Sequence, residues 1–488
     1  MLAGRLAAMA IAFLTQVVVV RYLSKDDYGA FAYAVSAILL LQSLLPLGLD
    51  RADTRFLALY DERDDHGRLL GVILVEAATV VALGGAAVAV AVTFRGELEG
   101  SLIPGGTTFA VLLAMLALAP LQAIDTMVLN VFALFASPWT VFFRRYVLDP
   151  VLRLLVAIAM VVAERGVLFL ALGFVAVGVI GLALYTFMLV RLLRRLGMLT
   201  RVSMGSIALP LREVFAFSLP LLVTNVVAVA VTELAAVVLG HYGEASDVAA
   251  FRAVAPFAAL NFVVMFSFTT LFTPAAARLC ARDDRAGLRE LYWRSARWVA
   301  VLTFPVLCVT TALAQPVTVA SFGDRYSGSA LYLALLSIGY YFNAALGFNG
   351  LTVVMLGRLR YMTIANLGVL GWMVAANLLL IPRWGTIGAV VAVLSTIVVH
   401  NLAKQAGLGF GAGIGVVDRG HVVVLAQLAA VAGVLSLITI SIGPPLLLGL
   451  FLVAGVSALM LRVMGPALDL GSTFPEIARL PVVRWVLR

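Results

Sequence analysis

Apolar residues run along this chain in stretches of about twenty, separated by short polar segments that carry most of the charge. A helix of that length, rising about 1.5 Å per residue, crosses about 30 Å of hydrocarbon. Reading the stretches between polar punctuation predicts helices over residues 2–20, 28–50, 69–93, 106–135, 146–163, 167–190 and 213–240. Seven more follow at 249–275, 298–320, 329–356, 363–382, 386–402, 421–440 and 444–461. The pattern therefore predicts an all-α integral membrane protein of about fourteen transmembrane helices. Residues 2–20 hold a single charge, Arg5, and no convincing cleavage site, so they read as a membrane helix and not a removed signal.

Charge placement tests this count, because a missed or invented helix would scramble the alternation of basic residues downstream. Loops after even-numbered helices, with the two termini, hold 26 of the basic residues, and loops after odd-numbered helices hold 6. That alternation puts both termini in the cytoplasm. It also assigns Arg144 and Arg145 to an inner loop after the fourth helix, and Arg278 to Arg297 to another. The loops 191–212 and 276–297 are basic and partly amphipathic, as segments lying on the inner membrane surface would be.

Composition agrees: 63% of residues are hydrophobic and 12% charged, against roughly 45–50% and 25% in soluble domains. The net charge of +9 sits in short loops, with no basic stripe interleaved with aromatics, which argues for membrane lipids and an anionic substrate as partners rather than nucleic acid. Cys280 and Cys308 are the only cysteines and the four histidines are scattered, so neither a disulfide framework nor a metal site is expected. No HExxH, CxxC or P-loop is present, no cofactor is implied, and the chain does not read as an enzyme. Glycines at Gly173, Gly178 and Gly181 read as close helix packing.

The first six helices end at a basic loop and the next six follow with similar lengths. The first hairpin of each half is weakly alike, Arg21–Ala32 beside His241–Arg252, although low-complexity apolar sequence produces such matches by chance as well. A parallel repeat would divide the chain into six-helix lobes at 1–190 and 213–402, two further helices at 421–464, and a cytoplasmic interfacial tail at 465–488. Thr473 and Glu476 have capping-box spacing in that tail, while Pro481 argues against a helix.

Charges inside helices carry the functional signal, since each costs roughly 2.5–3.5 kcal/mol to insert and needs a partner or a wet cavity. Glu76, Asp125, Glu233 and Arg252 are the clearest. Arg5 fits an interfacial anchor or a cavity residue. Arg153 follows Asp149 by four residues, as an i,i+4 pair would. Glu233 and Arg252 flank a short loop as either an ion pair or a ligand site. Asp125 and Glu76 fit protonated core residues, interhelical hydrogen-bond partners or proton relays. Asp125 and Glu233 are accordingly the candidates for coupling to H+ or Na+.

Three segments carry a family resemblance: Arg21-Tyr22-Leu23-Ser24-Lys25-Asp26-Asp27-Tyr28-Gly29, Leu47-Gly48-Leu49-Asp50-Arg51-Ala52-Asp53-Thr54-Arg55-Phe56, and Phe217-Ser218-Leu219-Pro220. They resemble the polysaccharide-transport branch of the multidrug/oligosaccharidyl-lipid/polysaccharide exporter superfamily. That resemblance implies two six-helix lobes around a cavity, and alternating-access flipping of an oligosaccharide linked to undecaprenyl diphosphate. It further implies substrate contacts from Arg5, from Arg51 or Arg55, and from Arg252. A guanidinium offers a fixed bidentate fork for phosphate oxygens, which suits such a substrate. A multidrug or small-solute exporter of the same fold is the alternative.

Overall fold

A computed structural model of the chain describes residues 2–101, 106–135, 138–198, 207–415 and 417–468. The tail beyond 468, including Thr473 and Glu476, lies outside them. The described residues are helical throughout their ordered segments, without a strand. They contain ten helices long and apolar enough to cross a membrane, or eleven if one bent pair, Arg285–Thr311 with Ala314–Phe322, makes a single span. The expected fourteen is not reached by that test, and the reasons are local. Ala7–Tyr22 is apolar but short, and Asp149–Val162 has 14 residues. Leu359–Ala412 counts once although it contains a break at Gly385, with φ 54° and ψ −130°. Its two arms run antiparallel: Tyr361 donates to the Ala403 carbonyl, Asn366 Oδ1 lies 3.1 Å from His400 Nε2, and Trp372 donates to Ser395 at 3.3 Å.

The chain forms two compact units, Met1–Arg252 and Ala253–Arg488. In the first, α1 (Leu2–Tyr22) is followed by α2 (Lys25–Leu44), whose start is capped by Ser24, its Oγ accepting from the Asp27 N–H at 3.0 Å. Asp26 and Asp27 in the opening turn complement the positive end of the helix. The helix expected to run to residue 50 stops at Leu44. Pro46 has no N–H to continue the ladder, and Leu47 and Gly48 take left-handed backbone, φ 51° and 79°. A Cβ on Gly48 would stand 2.3 Å from the Ser218 carbonyl oxygen, so only glycine both turns and packs here.

The reversal launches a separate amphipathic helix, α3 (Leu49–Asp61), followed by α4 (His66–Thr93). Its apolar face, with Leu49, Phe56, Leu57 and Tyr60, packs on Leu69, Val72 and Val75 of α4. Met127, Val131 and Phe132, with Tyr185 and Leu189, complete that core. The predicted helix 106–135 divides into α5 (Gly106–Met115) and α6 (Leu118–Phe135). Pro120 accounts for the break, since its ring excludes the carbonyl four residues earlier. Beyond it come α7 (Asp149–Val162), α8 (Val167–Arg195) and α9 (Leu211–Tyr242). The last of these, which opens the expected second lobe, packs along α2 and α3 in the first unit.

The second unit is organised on α10 (Arg285–Thr311), against which Ala330–Ala345, Arg419–Ile442 and Leu446–Leu468 pack. Its large side chains are tied at their polar ends. Trp298 Nε1 donates to the Leu468 carbonyl at 3.0 Å, Tyr341 to Ala300 at 3.1 Å, and Tyr292 to Gln405 at 2.9 Å. Buried hydroxyl and indole groups need such acceptors, since an unmade bond there costs about 1–3 kcal/mol.

Candidate functional site

The charged residues of the first unit fall into three groups with different partners. In the first, Arg51 and Arg55 project from the polar face of α3 and are exposed. Arg51 Nη2 donates to Asn225 Oδ1 of α9 at 3.2 Å, and its Nε lies 3.8 Å from the neighbouring Asp50 carboxylate. Asn225 in turn donates to the Ser43 carbonyl at 3.4 Å. The Arg55 guanidinium sits 4.4 Å from the Phe217 ring centroid, a cation–π contact, and has no ion pair among the described residues. Asn225 and the Phe217 ring thus position the two arginines, the Asp50 carboxylate at 3.8 Å offsets part of the Arg51 charge, and Arg55 meets no carboxylate among the described residues.

The second group is a buried ladder. Helical backbone begins at Pro138, earlier than the predicted 146, and passes through a π-turn at Arg144–Leu148 before α7. Arg144, expected in an inner loop, is instead only 3% exposed. Its Nη2 lies 3.1 Å from Asp125 Oδ1 of α6, and its Nη1 lies 3.6 Å from Asp149. Asp149 also accepts from Arg153 Nε at 2.8 Å, the i,i+4 pair. A Cβ on Gly181 would lie 2.3 Å from Arg144 Nη2, so this glycine is the slot in α8 that admits the guanidinium. The ladder borders a polar cavity of about 220 Å³ that also takes in Gln122, Asn130 and the exposed Arg145.

In the third group Arg252 Nη2 lies 3.1 Å from Glu233 Oε2, and its Nη1 donates to Glu233 Oε1 at 3.3 Å. Both side chains are largely buried, and Gln16 of α1 donates to the Arg252 carbonyl at 3.4 Å. Each of Asp125 and Glu233 is therefore in contact with an arginine. The Arg5 backbone lies in α1, and its side chain is outside the described residues.

The sequence reading missed one further pair. Asp53 of α3 and Glu76 of α4 are 1% and 0% exposed, and their carboxyls are neighbours. Their side-chain neighbours are each other and the Asn130 carboxamide beside Asp53, and no cation pairs with either among the described residues. Two carboxyls so placed cannot both carry charge cheaply. Glu76 stood out as a charge within a span. Asp53 did not, because the text around it is polar and reads as a loop.

Chemically, the unit combines accessible guanidinium groups for an anion, a charge-neutral ladder, and a carboxyl pair able to carry a proton. Among the described residues no group of three or more acidic, histidine or cysteine side chains is arranged to hold a metal ion.

Comparison with known proteins adds three observations. Residues 107–331 match the profile of a family described as polysaccharide biosynthesis protein. No curated protein sequence matches the chain at a significant level. Among solved structures, the lipid II flippase MurJ in an inward closed conformation superposes with TM-score 0.73 at 14% identity, over 96% of this chain and 98% of that one. An inward-facing multidrug resistance MATE family transporter of the MOP superfamily gives 0.66 at 14% identity, over 84% and 97%. A MOP superfamily transporter from Pyrococcus furiosus, whose binding pocket is described as having reverse polarity, gives 0.54 at 16%, over 84% and 93%. At identities this low the likeness establishes architecture alone: the chain is a multi-pass, all-α membrane protein with the fold of these solved structures.

Proposed function

We propose that this protein flips a lipid-linked oligosaccharide or polysaccharide precursor, on a carrier of the undecaprenyl diphosphate type, across a bacterial cytoplasmic membrane by alternating access. The observation that carries the reading is the Arg51–Arg55 pair. Both guanidinium groups are exposed on α3 and positioned by a carboxamide and an aromatic ring, with a single carboxylate, Asp50, 3.8 Å from Arg51, so the pair keeps positive charge for a diphosphate. The polysaccharide-biosynthesis match over 107–331 and the fold shared with a lipid II flippase support the same substrate class. In this reading Arg5 and Arg252 are further substrate contacts, Arg252 exchanging Glu233 for phosphate as the substrate arrives.

The test is complementation of an export-deficient strain by Arg51→Ala/Arg55→Ala. Loss of surface glycan with normal protein level in the membrane supports the proposal. Export equal to wild type overturns it. The fold is shared with multidrug transporters, so the drug-resistance profile of a deletion strain distinguishes the second reading, a small-solute exporter. Unchanged resistance together with lost glycan favours the flippase.

Coupling to H+ or Na+ is proposed for the acidic groups of the first unit. Asp125 and Glu233 are candidates only if the cation displaces their arginines. Asp53 and Glu76 need no such exchange. In proteoliposomes, transport driven by a proton gradient should fall in Asp53→Asn and Glu76→Gln. If it falls only in Asp125→Asn and Glu233→Gln, the coupling site is the arginine-paired set.

A further inference from the structure

The second unit contains a cavity of about 420 Å³ unrelated to the residues above, bordered by Arg285, Arg289, Glu290, Trp293, Arg297 and Asp418. The first five stand on the opening turns of α10, whose sequence then runs without a charged residue from Trp298 to Gly323. Asp418 caps the helix Arg419–Ile442, which is apolar beyond His421. Two spans thus enter the hydrocarbon at this cavity, so it lies at the level of the lipid headgroups.

Its charges are unevenly matched. Glu290 is committed to Arg294 at 3.1 Å, and Asp418 accepts from the His421 N–H at 2.9 Å as a helix cap. Arg285 pairs with Asp283 at 3.2 Å. Arg289 and Arg297 have no carboxylate within ion-pair distance among the described residues, although Glu290 and Asp418 share the cavity with them. Arg297 spends its Nε on the Trp293 carbonyl at 3.2 Å, and its terminal nitrogens make no hydrogen bond among the described residues.

An independent observation points to an occupant. Trp293 is 3% exposed, fixed against Tyr292 and His421 with ring centroids 5.0 and 5.2 Å away, and its Nε1–H has no acceptor among the described residues. A buried indole N–H normally finds an acceptor. An acceptor-only group of negative charge would satisfy this donor and the two arginines together, and a phosphodiester is such a group.

We propose that this cavity binds the phosphate of an anionic phospholipid headgroup, with Arg289 and Arg297 matching its charge and Trp293 Nε1 donating to one of its oxygens. The site is separate from the transported substrate and does not depend on what that substrate is. Its occupant ties the start of α10 to the start of Arg419–Ile442.

The test uses the full chain in detergent micelles, with dioctanoyl phosphatidylglycerol, dioctanoyl phosphatidylcholine and inorganic phosphate as probes, read by native mass spectrometry and thermal shift. Wild type is expected to bind the phosphatidylglycerol about tenfold more tightly than the phosphatidylcholine, a preference that weakens with salt. Arg289 is exposed, so Arg289→Gln leaves the fold intact and should remove most of that preference. Trp293→Phe keeps the ring and deletes the donor, and should weaken phosphatidylglycerol several-fold, since the lost bond is to a phosphate oxygen. Equal affinity for the two lipids in wild type overturns the proposal, as does wild-type preference in Arg289→Gln together with wild-type phosphatidylglycerol affinity in Trp293→Phe. Millimolar inorganic phosphate that displaces the lipid and reproduces its thermal shift assigns the site to soluble phosphate and overturns the lipid.

Discussion

Arg144 and Arg51 are the same residue type in the same compact unit, yet their surroundings differ in every respect that decides function. Arg144 is sealed between two carboxylates, a glycine slot and the Tyr185 ring, 5.5 Å from its guanidinium. Arg51 is exposed, held by a carboxamide at 3.2 Å and more loosely by the Asp50 carboxylate at 3.8 Å, beside Arg55 on a phenyl ring. A guanidinium matched by carboxylates holds helices together and has little left for a ligand. One positioned mainly by neutral groups keeps more of its field for an incoming anion. In a membrane, where an unmatched charge is costly, the second arrangement is the better marker of a binding surface.

The comparison breaks most sharply at Arg144. Arg144→Ala should cost about 3–5 kcal/mol, because Asp125 would be left uncompensated against α6 and α7. Thermal unfolding of the purified protein would show it, and a shift no larger than that of a surface variant would refute the structural role. Gly181→Val should follow at about 1–3 kcal/mol by expelling the guanidinium from its slot. The same measurement checks it, and the combined variant should fall short of the sum because both remove one interaction.

Arg51→Ala/Arg55→Ala should leave unfolding almost unchanged while export falls about tenfold or more, equivalent to about 1.4 kcal/mol in the transport step. Export and melting temperature moving together would erase the distinction. Smallest is Arg153→Gln. Its pair with Asp149 is an i,i+4 contact with both side chains about a quarter exposed, expected to contribute about 0.3–0.5 kcal/mol. A loss as large as that of Arg144→Ala would mean that the ladder acts as one unit.

Which of these residues was readable beforehand follows from sequence distance. Arg153 and Asp149 are four apart and helical geometry alone brings them together. Glu233 and Arg252 flank one short loop, which kept the ion pair among the open readings. Arg144 and Asp125 are equally close in sequence, but the polar doublet Arg144-Arg145 reads as a loop, and only the early start of the helix at Pro138 and its π-turn carry Arg144 inward. Gly181 was legible as a site of close packing, though not as a slot for a charge. The Asp53–Glu76 pair depends on the reversal at Leu47 and Gly48. Without it, Asp53 belongs to an exposed loop.

The amino-acid sequence by itself determined that the chain is a bundle of membrane helices, because runs of about twenty apolar residues have no other stable solvent and a helix satisfies its own backbone. It also marked which charges were worth attention, since each charge within such a run has a cost that must be met. Only the tertiary structure decided which charge meets which. A carboxylate finds its arginine through helix breaks at single residues such as Gly48 and Pro120, through one turn of π-helix, and through a missing Cβ at Gly181. Those are local deviations of a few ångströms that hydropathy does not register, yet a hydrogen bond exists or fails over that distance.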